Sequence, residues 1–362
     1  MTLFRYILMR FLATFARVLM IFVFLLFVVG IVDELGALKP EQGITRAIYL
    51  SVIGQMQTAY TILPLMIIIA AITFFLGMSR SSELVAVRAS GVSGLRFLLA
   101  PCTGALLIGL VAIALVNPLV AVFSTKYEAE KGRASASTAL SVGDTGVWLR
   151  QGSAGEQTMV HAQTTEGSGL RLVGATFIRF DPSGTPIARV EAASAQLEPQ
   201  AWVLKGALSW DLTQGNPESL RKVLPDGSRI ATDLHPEDLT SGFGRPNSVQ
   251  LWALPAHIAS LQSAGFSARA FQVWLQSELA KPFFLVVMVL VAAGFTMRHI
   301  RSGNRAQMVI IAVMLGFGIF FFRNIAEVFG QNGKVPVMLS AWGPTAAASL
   351  LAVSLLLHLE EG

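Results

Sequence analysis

Six stretches of this chain are almost continuously apolar, and one long stretch between the third and the fourth alternates instead. The apolar runs cover residues 18–32, 50–78, 95–122, 282–297, 308–322 and 339–357. A helix needs about 20 mostly apolar residues to cross roughly 30 Å of hydrocarbon. Six spanning helices are predicted, the shorter runs borrowing flanking residues, with a kink in the second at Pro64. From about residue 124 to 270 the chain turns polar, Gly-rich and turn-rich. In "AWVLKGALSWDL" the residues Trp202, Leu204, Gly206, Leu208, Trp210 and Leu212 fall on one face of a strand. "LRLVGATFIRFD" and "GVWLRQG" read similarly, separated by the turn signals "DPSG", "LEPQ" and "QGNP". Short strands at this spacing predict an antiparallel sandwich or open barrel, followed by a helix in "ALPAHIASLQSAG". The expected fold is an α-helical membrane protein with six transmembrane helices and an inserted antiparallel β domain. It divides into residues 1–123, 124–270 and 271–362.

Composition agrees. Of 362 residues 53% are hydrophobic and only 14% charged, against about 25% charged in soluble domains. Basic residues also orient the spans. Arg5, Arg10 and Arg17, then Arg80, Arg88 and Arg96, then Arg298, Arg301 and Arg305 all fall on one side of a six-span arrangement. The alternate loops hold fewer: Lys39 and Arg46 in one, Arg323 and Lys334 near another. Both termini are therefore expected inside and the β region outside. The first run follows three Arg like a signal peptide, but no small-x-small cleavage pattern follows it, so a retained helix is expected. The one cysteine, Cys102, lies in the third run, so an intrachain disulfide is impossible.

The chemistry of catalysis is missing from the sequence. There is no G-x-x-x-x-G-K-[ST] phosphate loop, no H-E-x-x-H and no G-x-S-x-G. His161, His235, His257, His299 and His358 are too scattered to form a metal cluster. A non-enzymatic chain that binds no cofactor is expected.

One polar interruption stands out. "SSELVAVRASGVS", residues 81–93, separates the second run from the third. Ser81 is placed to cap a short helix with Glu83 in its first turn and Gly91 at its end. A helix of about nine residues is marginal alone, since isolated helices need about 12–15. It has to be held by something else. Glu83 and Val87 share a face, and Ala86, Ala89 and Ser90 offer small surfaces for close docking. A surface turn whose Arg residues meet anionic headgroups is the plain alternative.

This segment resembles the cytoplasmic motif of the LptF/LptG permease family, and other stretches do too. "FARVLMIFVFLLFVVGIVDEL" is similar to the family's first helix and "ILPLMIIIAAITFFLGMSRSSEL" to its second. "VNPLVAVFSTKYEAEKGR" resembles the exit into the periplasmic domain. "ALPAHIASLQSAGFSARAFQVWLQSELAKPF" and "VPVMLSAWGPTAAASLLAVSLLLHLE" resemble the return helix and last span. The resemblance covers nearly the whole chain and favours the LptG branch over LptF. It implies a permease subunit of an ATP-driven lipopolysaccharide extractor in the bacterial inner membrane, with a periplasmic β-jellyroll. The implied partners are an LptB-type ATPase dimer that uses ATP and Mg, an LptF-type paralogous permease, an LptC-type bitopic jellyroll protein and lipopolysaccharide, with no nucleic acid. It assigns ATPase coupling to Glu83, Leu84, Val87, Arg88, Ala89, Ser90 and Gly91.

The resemblance also implies a lipid cavity lined by the first, second and fifth spans, with basic residues at its outer rim. Where the family carries a basic residue shortly before the acid matched by Asp33, this chain has Gly30. Phosphate recognition then passes to Lys39, Lys126, Lys131 or Arg133, or to the partner. Lys126 with Glu130 also reads as an ordinary i,i+4 surface pair. Ile319 and Phe322 in the fifth span are candidate lipid contacts. Arg323 and Glu327, another i,i+4 pair, either line the cavity mouth or reach to the interface. A membrane-anchored scaffold for envelope assembly is the competing reading, though it needs only one or two anchors. An ion-coupled carrier would use acidic residues inside the spans, and the six apolar runs contain no such pathway.

Overall fold

The computed structural model describes residues 2–37, 43–81, 83, 87, 89, 93–131, 139–143, 146–151, 157–166, 170–181, 183–213, 221–232, 245–297 and 305–360. Its first helix, α1 (Thr2–Ala37), has 36 residues and extends well beyond the apolar run at its centre. α2 (Gly43–Thr61) and α3 (Leu63–Arg80) follow. The second run, expected as one kinked helix, is two. Ile62 sits between them at φ −88° and ψ 6°, and Pro64 opens α3, where a missing N–H costs nothing. α4 (Gly94–Val111), a π-helical turn (Ala112–Val116) and α5 (Asn117–Glu130) form the third run. After the β region and α6 (Leu254–Ser263) come α7 (Arg269–Thr296), α8 (Arg305–Gln331) and α9 (Val337–Glu360). Among the described residues six helices are long and apolar enough to cross a membrane: Leu3–Ala37, Leu63–Arg80, Arg96–Glu130, Arg269–Thr296, Gln307–Gln331 and Val337–Leu357. The fourth begins well before Pro282, and the charged Glu278 and Lys281 in that added stretch are buried.

The chain forms two compact units, Met1–Tyr127 with Gln272–Gly362, and Glu128–Phe271. In the helical unit most residues of α3 and α7 are buried, while few of those in α1 and α8 are. Phe11 meets Phe74 edge-on at 5.6 Å, and Phe74 stacks on Phe97 at 6.3 Å, which pins α1, α3 and α4 together.

The second unit holds one antiparallel sheet. Its strands are β1 (Ala139–Gly143), β2 (Gly146–Gln151), β3 (Gln157–Glu166), β4 (Arg171–Phe180), β5 (Pro186–Glu198), β6 (Ala201–Asp211), β7 (Lys222–Leu224) and β8 (Ser228–Ala231). β1 to β7 pair in chain order and β8 also pairs with β6. "DPSG" turns where expected, with Asp181 Oδ1 accepting from Ser183 Oγ at 2.6 Å and Thr185 N at 2.8 Å. "LEPQ" turns through Gln200 at φ 65°. "QGNP" lies outside the described residues.

The alternation expected for β6 holds only to its middle. Trp202 and Leu204 are buried, but the next buried residue is Ala207, so Leu208 and Trp210 are on the other face from that expected. The same one-residue phase change occurs in the three neighbouring strands. Val160 and Ala162 give way to Thr165, Leu172 to Ala175 and Phe177, and Val190 and Ala192 to Ala195 and Leu197. Pairing passes over Gln163, Gly174, Ala193 and Gly206 and resumes in unchanged register. These four form one row across the sheet. Gly174 at φ 61° and Gly206 at φ 59° supply the left-handed backbone such a break needs. The row is a crease, and both halves of the sheet send their buried residues into a single core around Trp202, Leu204 and Phe177.

Candidate functional site

Ser81, expected as a cap of the short helix, is also the C-cap of the helix before it. It ends α3, its N–H donating to the Gly77 carbonyl at 3.1 Å and its Oγ to the same oxygen at 3.0 Å. Glu83, Val87 and Ala89 are helical; Leu84, Arg88, Ser90 and Gly91, with the expected stop at Gly91, lie outside the described residues. Glu83 reaches α1. Its Oε2 accepts from Arg10 Nη1 and, at 3.1 Å, from the Tyr6 hydroxyl, and Arg10 also donates to that hydroxyl at 2.6 Å. The hydrogen bond from Arg10, helped by Ser81 and Tyr6, lowers the Glu83 carboxyl from 4.5 to about 2. A carboxylate lowered in this way contributes stability above its unfolded value and loses it as pH falls toward about 2. The tie is therefore complete at neutral pH. Val87, one turn on, is buried in the core that contains Ile7 and Phe11, whereas Ala89 is exposed.

An apolar cavity of about 490 Å³ lies in the same unit. Leu12, Phe15, Leu19 and Val23 of α1 form one wall, Met56, Ala59 and Tyr60 of α2 another, and Leu107 and Val111 of α4 a third. Its walls come from α1 to α4 and the π-helical turn, and none of the lipid-path candidates among the described residues lines it. Gly30 is buried against α2: a Cβ there would stand 2.4 Å from Ser51 Oγ and 2.7 Å from Gln55. A basic side chain has no room at this position, so the glycine serves helix packing. Asp33 is exposed; the buried acid is its neighbour Glu34, which accepts from the Tyr127 hydroxyl at 2.7 Å. Lys126 is exposed and Lys131 half-buried, while Lys39 and Arg133 lie outside the described residues. Ile319 is buried and Phe322 exposed on α8.

The Gly30 contact has a measurable consequence. Gly30→Ala overpacks the α1–α2 crossing and is expected to cost about 1–3 kcal/mol. Gly36→Ala meets nothing within 4 Å and should be neutral or gain up to about 1 kcal/mol from helix propensity. Thermal unfolding of the two purified variants in one detergent checks the difference in sign.

Arg323 does not line this cavity. It is 5% exposed, pairs with Glu327 at 3.0 Å and donates from Nη2 to the Ser277 carbonyl at 3.2 Å. Beside it lie two charges the sequence reading passed over. Glu278 is 0% and Lys281 3% exposed. Lys281 Nζ donates to Glu278 Oε1 at 2.6 Å and stands 3.5 Å from the centre of the Tyr60 ring. The Tyr60 hydroxyl donates to the other Glu278 oxygen. Two cations and two anions cancel, and charge this deep in an apolar unit is tolerable only when so paired. The group joins α7 to α8 and α2. The available signal was "SELAKPF", a Glu and a Lys at i,i+3 inside an otherwise apolar helix.

Residues 5–358 match the family described as lipopolysaccharide export system permease LptF/LptG. The chain belongs to this permease family. Similar proteins include the lipopolysaccharide export system permease protein LptG of Escherichia coli strain K12, 24% identical over 291 residues, or 78% of each chain. The protein of the same name from Escherichia coli O6:H1 matches equally. Membership makes the six long apolar helices those of a multi-pass membrane permease with an antiparallel β domain inserted between its third and fourth spans. Within the permease fold, the segment after the second span is fastened to α1 through Glu83, a partnership the sequence reading did not find.

Proposed function

We propose that this chain is the LptG-type subunit of an ATP-driven lipopolysaccharide extractor in the bacterial inner membrane. The observation that carries the reading, beside family membership, is the segment after α3. Its Glu83 and Val87 contact the helical core and its Ala89 is exposed, which leaves the Ala89 side for an LptB-type ATPase dimer. That partner uses ATP and Mg; this chain supplies the membrane path. The exposed apolar faces of α1 and α8 suit an LptF-type paralogue and the acyl chains between the two subunits, and an LptC-type protein joins the β domain. Each methylene moved from hydrocarbon into water costs about 0.8 kcal/mol, so several acyl chains together exceed what one hydrolysis supplies. The route has to keep them covered from membrane to periplasm.

Coexpression with candidate LptB-type ATPases and an LptF-type permease, then purification and assay, tests this. The expected outcome is a stable complex whose ATP hydrolysis rises with lipopolysaccharide. A chain that purifies free of any ATPase, or hydrolysis indifferent to lipopolysaccharide, would sink the reading. Orientation has its own check in a Cys102→Ala background: a cysteine at Ser183 should label from outside and one at Ser302 only after permeabilisation.

A further inference from the structure

The contact of Glu83 with α1 joins the short helical segment after α3 to Arg10, 73 residues away in sequence. One carboxylate oxygen receives both the Arg10 guanidinium and the Tyr6 hydroxyl, and Arg10 also lies 5.8 Å from the Tyr6 ring centre. Two donors from successive turns of α1 thus converge on a single acceptor. Val87 is buried in the core of the helical unit. The segment is held at two points, one ionic, at Arg10 and Tyr6 of α1, and one apolar, where Val87 joins the cluster that contains Ile7 and Phe11.

From Arg10 the helix runs on without Gly or Pro to Leu12, Phe15, Leu19 and Val23, the wall of the apolar cavity. The thirteen steps from Arg10 to Val23 span about 20 Å at 1.5 Å per residue. The usual causes of a sharp bend are absent from that stretch, so displacement of its inner end reaches the cavity as a displacement of the wall. The Glu83 and Arg10 side chains are 31% and 30% exposed. Their pairing is therefore accessible to solvent and breakable, unlike the buried group around Lys281.

We propose that Arg10 is the positioning residue of ATPase coupling: by holding Glu83 it makes α1 move with the docking segment. The inference rests on the proposed function, because it presumes that an ATPase moves that segment. It assigns Glu83 an intrachain partner in addition to any contact it makes with the ATPase.

Two measurements test it. The first needs no partner: a double-mutant cycle in thermal unfolding with Arg10→Gln, Glu83→Gln and the pair. The expected result is that the pair shifts the midpoint by less than the sum of the single shifts; strict additivity overturns the tie. The second uses the complex with its ATPase. Arg10→Gln should leave the amount of co-purified ATPase within about twofold of the parent while removing most of the lipopolysaccharide stimulation. Arg10→Lys should retain stimulation, and the exchange Arg10→Glu with Glu83→Arg should recover part of what either change loses. Full stimulation in Arg10→Gln, or loss of ATPase in parallel with stimulation, overturns the positioning role. If the parent chain binds no ATPase, the proposed function fails, and the cycle still decides whether the tie exists.

Discussion

Lys281→Met is expected to destabilise the helical unit by about 3–5 kcal/mol, the usual cost of leaving one member of a buried ion pair uncompensated. The side chain is 3% exposed and donates to Glu278, which is 0% exposed. Removing the ammonium leaves a carboxylate with the Tyr60 hydroxyl as its remaining donor within this group. It also removes a cation centred on the Tyr60 ring at 3.5 Å. The change keeps chain length and apolar stem, so packing alone does not account for a loss of that size. The informative companion is Glu278→Gln with Lys281→Met. It removes both charges and keeps an acceptor for Tyr60, and should lie within about 1–2 kcal/mol of the parent, since uncharged isosteres replace buried pairs at little cost. Unfolding midpoints in detergent, with yield of folded protein, read both variants. A single mutant as stable as the parent would show that water reaches the site.

The β domain has its own anchor in Trp202, which is 0% exposed at the centre of its core. Trp202→Ala is expected to cost about 3–5 kcal/mol, combining lost apolar burial with the cavity left behind. Its Nε1 donates to Gln151 Oε1 at 3.1 Å, and that oxygen also accepts from Thr232 Oγ1 at 2.8 Å. Trp202→Phe keeps most of the volume, and Thr232 still satisfies Gln151, so this variant should lose less than half as much. Limited proteolysis of the full chain across a urea series reads the domain directly. Cleavage within residues 157–211 should appear at the lowest urea for the alanine variant. Equal resistance of all three proteins would mean that the core does not depend on this ring.

Much of the architecture was legible because one physical rule dominates it. A bilayer admits long apolar helices, and the six runs mark them directly. The β region was legible in its turns and strand positions, since "DPSG" and "LEPQ" force the backbone at fixed places. What escaped was whatever depends on a partner distant in sequence. Glu278 and Lys281 look like the edge of a span until Tyr60, over two hundred residues earlier, is seen to complete their shell. Glu83 looks free until Arg10 meets it. Gly30 looks like a missing cation, although Ser51 and Gln55 fill the space where one would go. The phase change in β6 was hidden for a different reason. "KGAL" keeps an apparent period of two while Gly206 turns the backbone, and the residues that reveal the break are in neighbouring strands.

The crease gives the β domain an anisotropic stiffness. Along most lines drawn across a sheet, bending has to stretch ladder hydrogen bonds, and resistance accumulates strand by strand. Along the row Gln163, Gly174, Ala193 and Gly206 the ladder pairs are already skipped, so the sheet folds there as a sheet of card folds along a scored line. Either side keeps its register during such a motion, because the four strands cross the score at the same level. The angle between the two halves is then set by the side chains packed between them, chiefly Trp202, Phe177 and Leu204, rather than by the backbone that joins them.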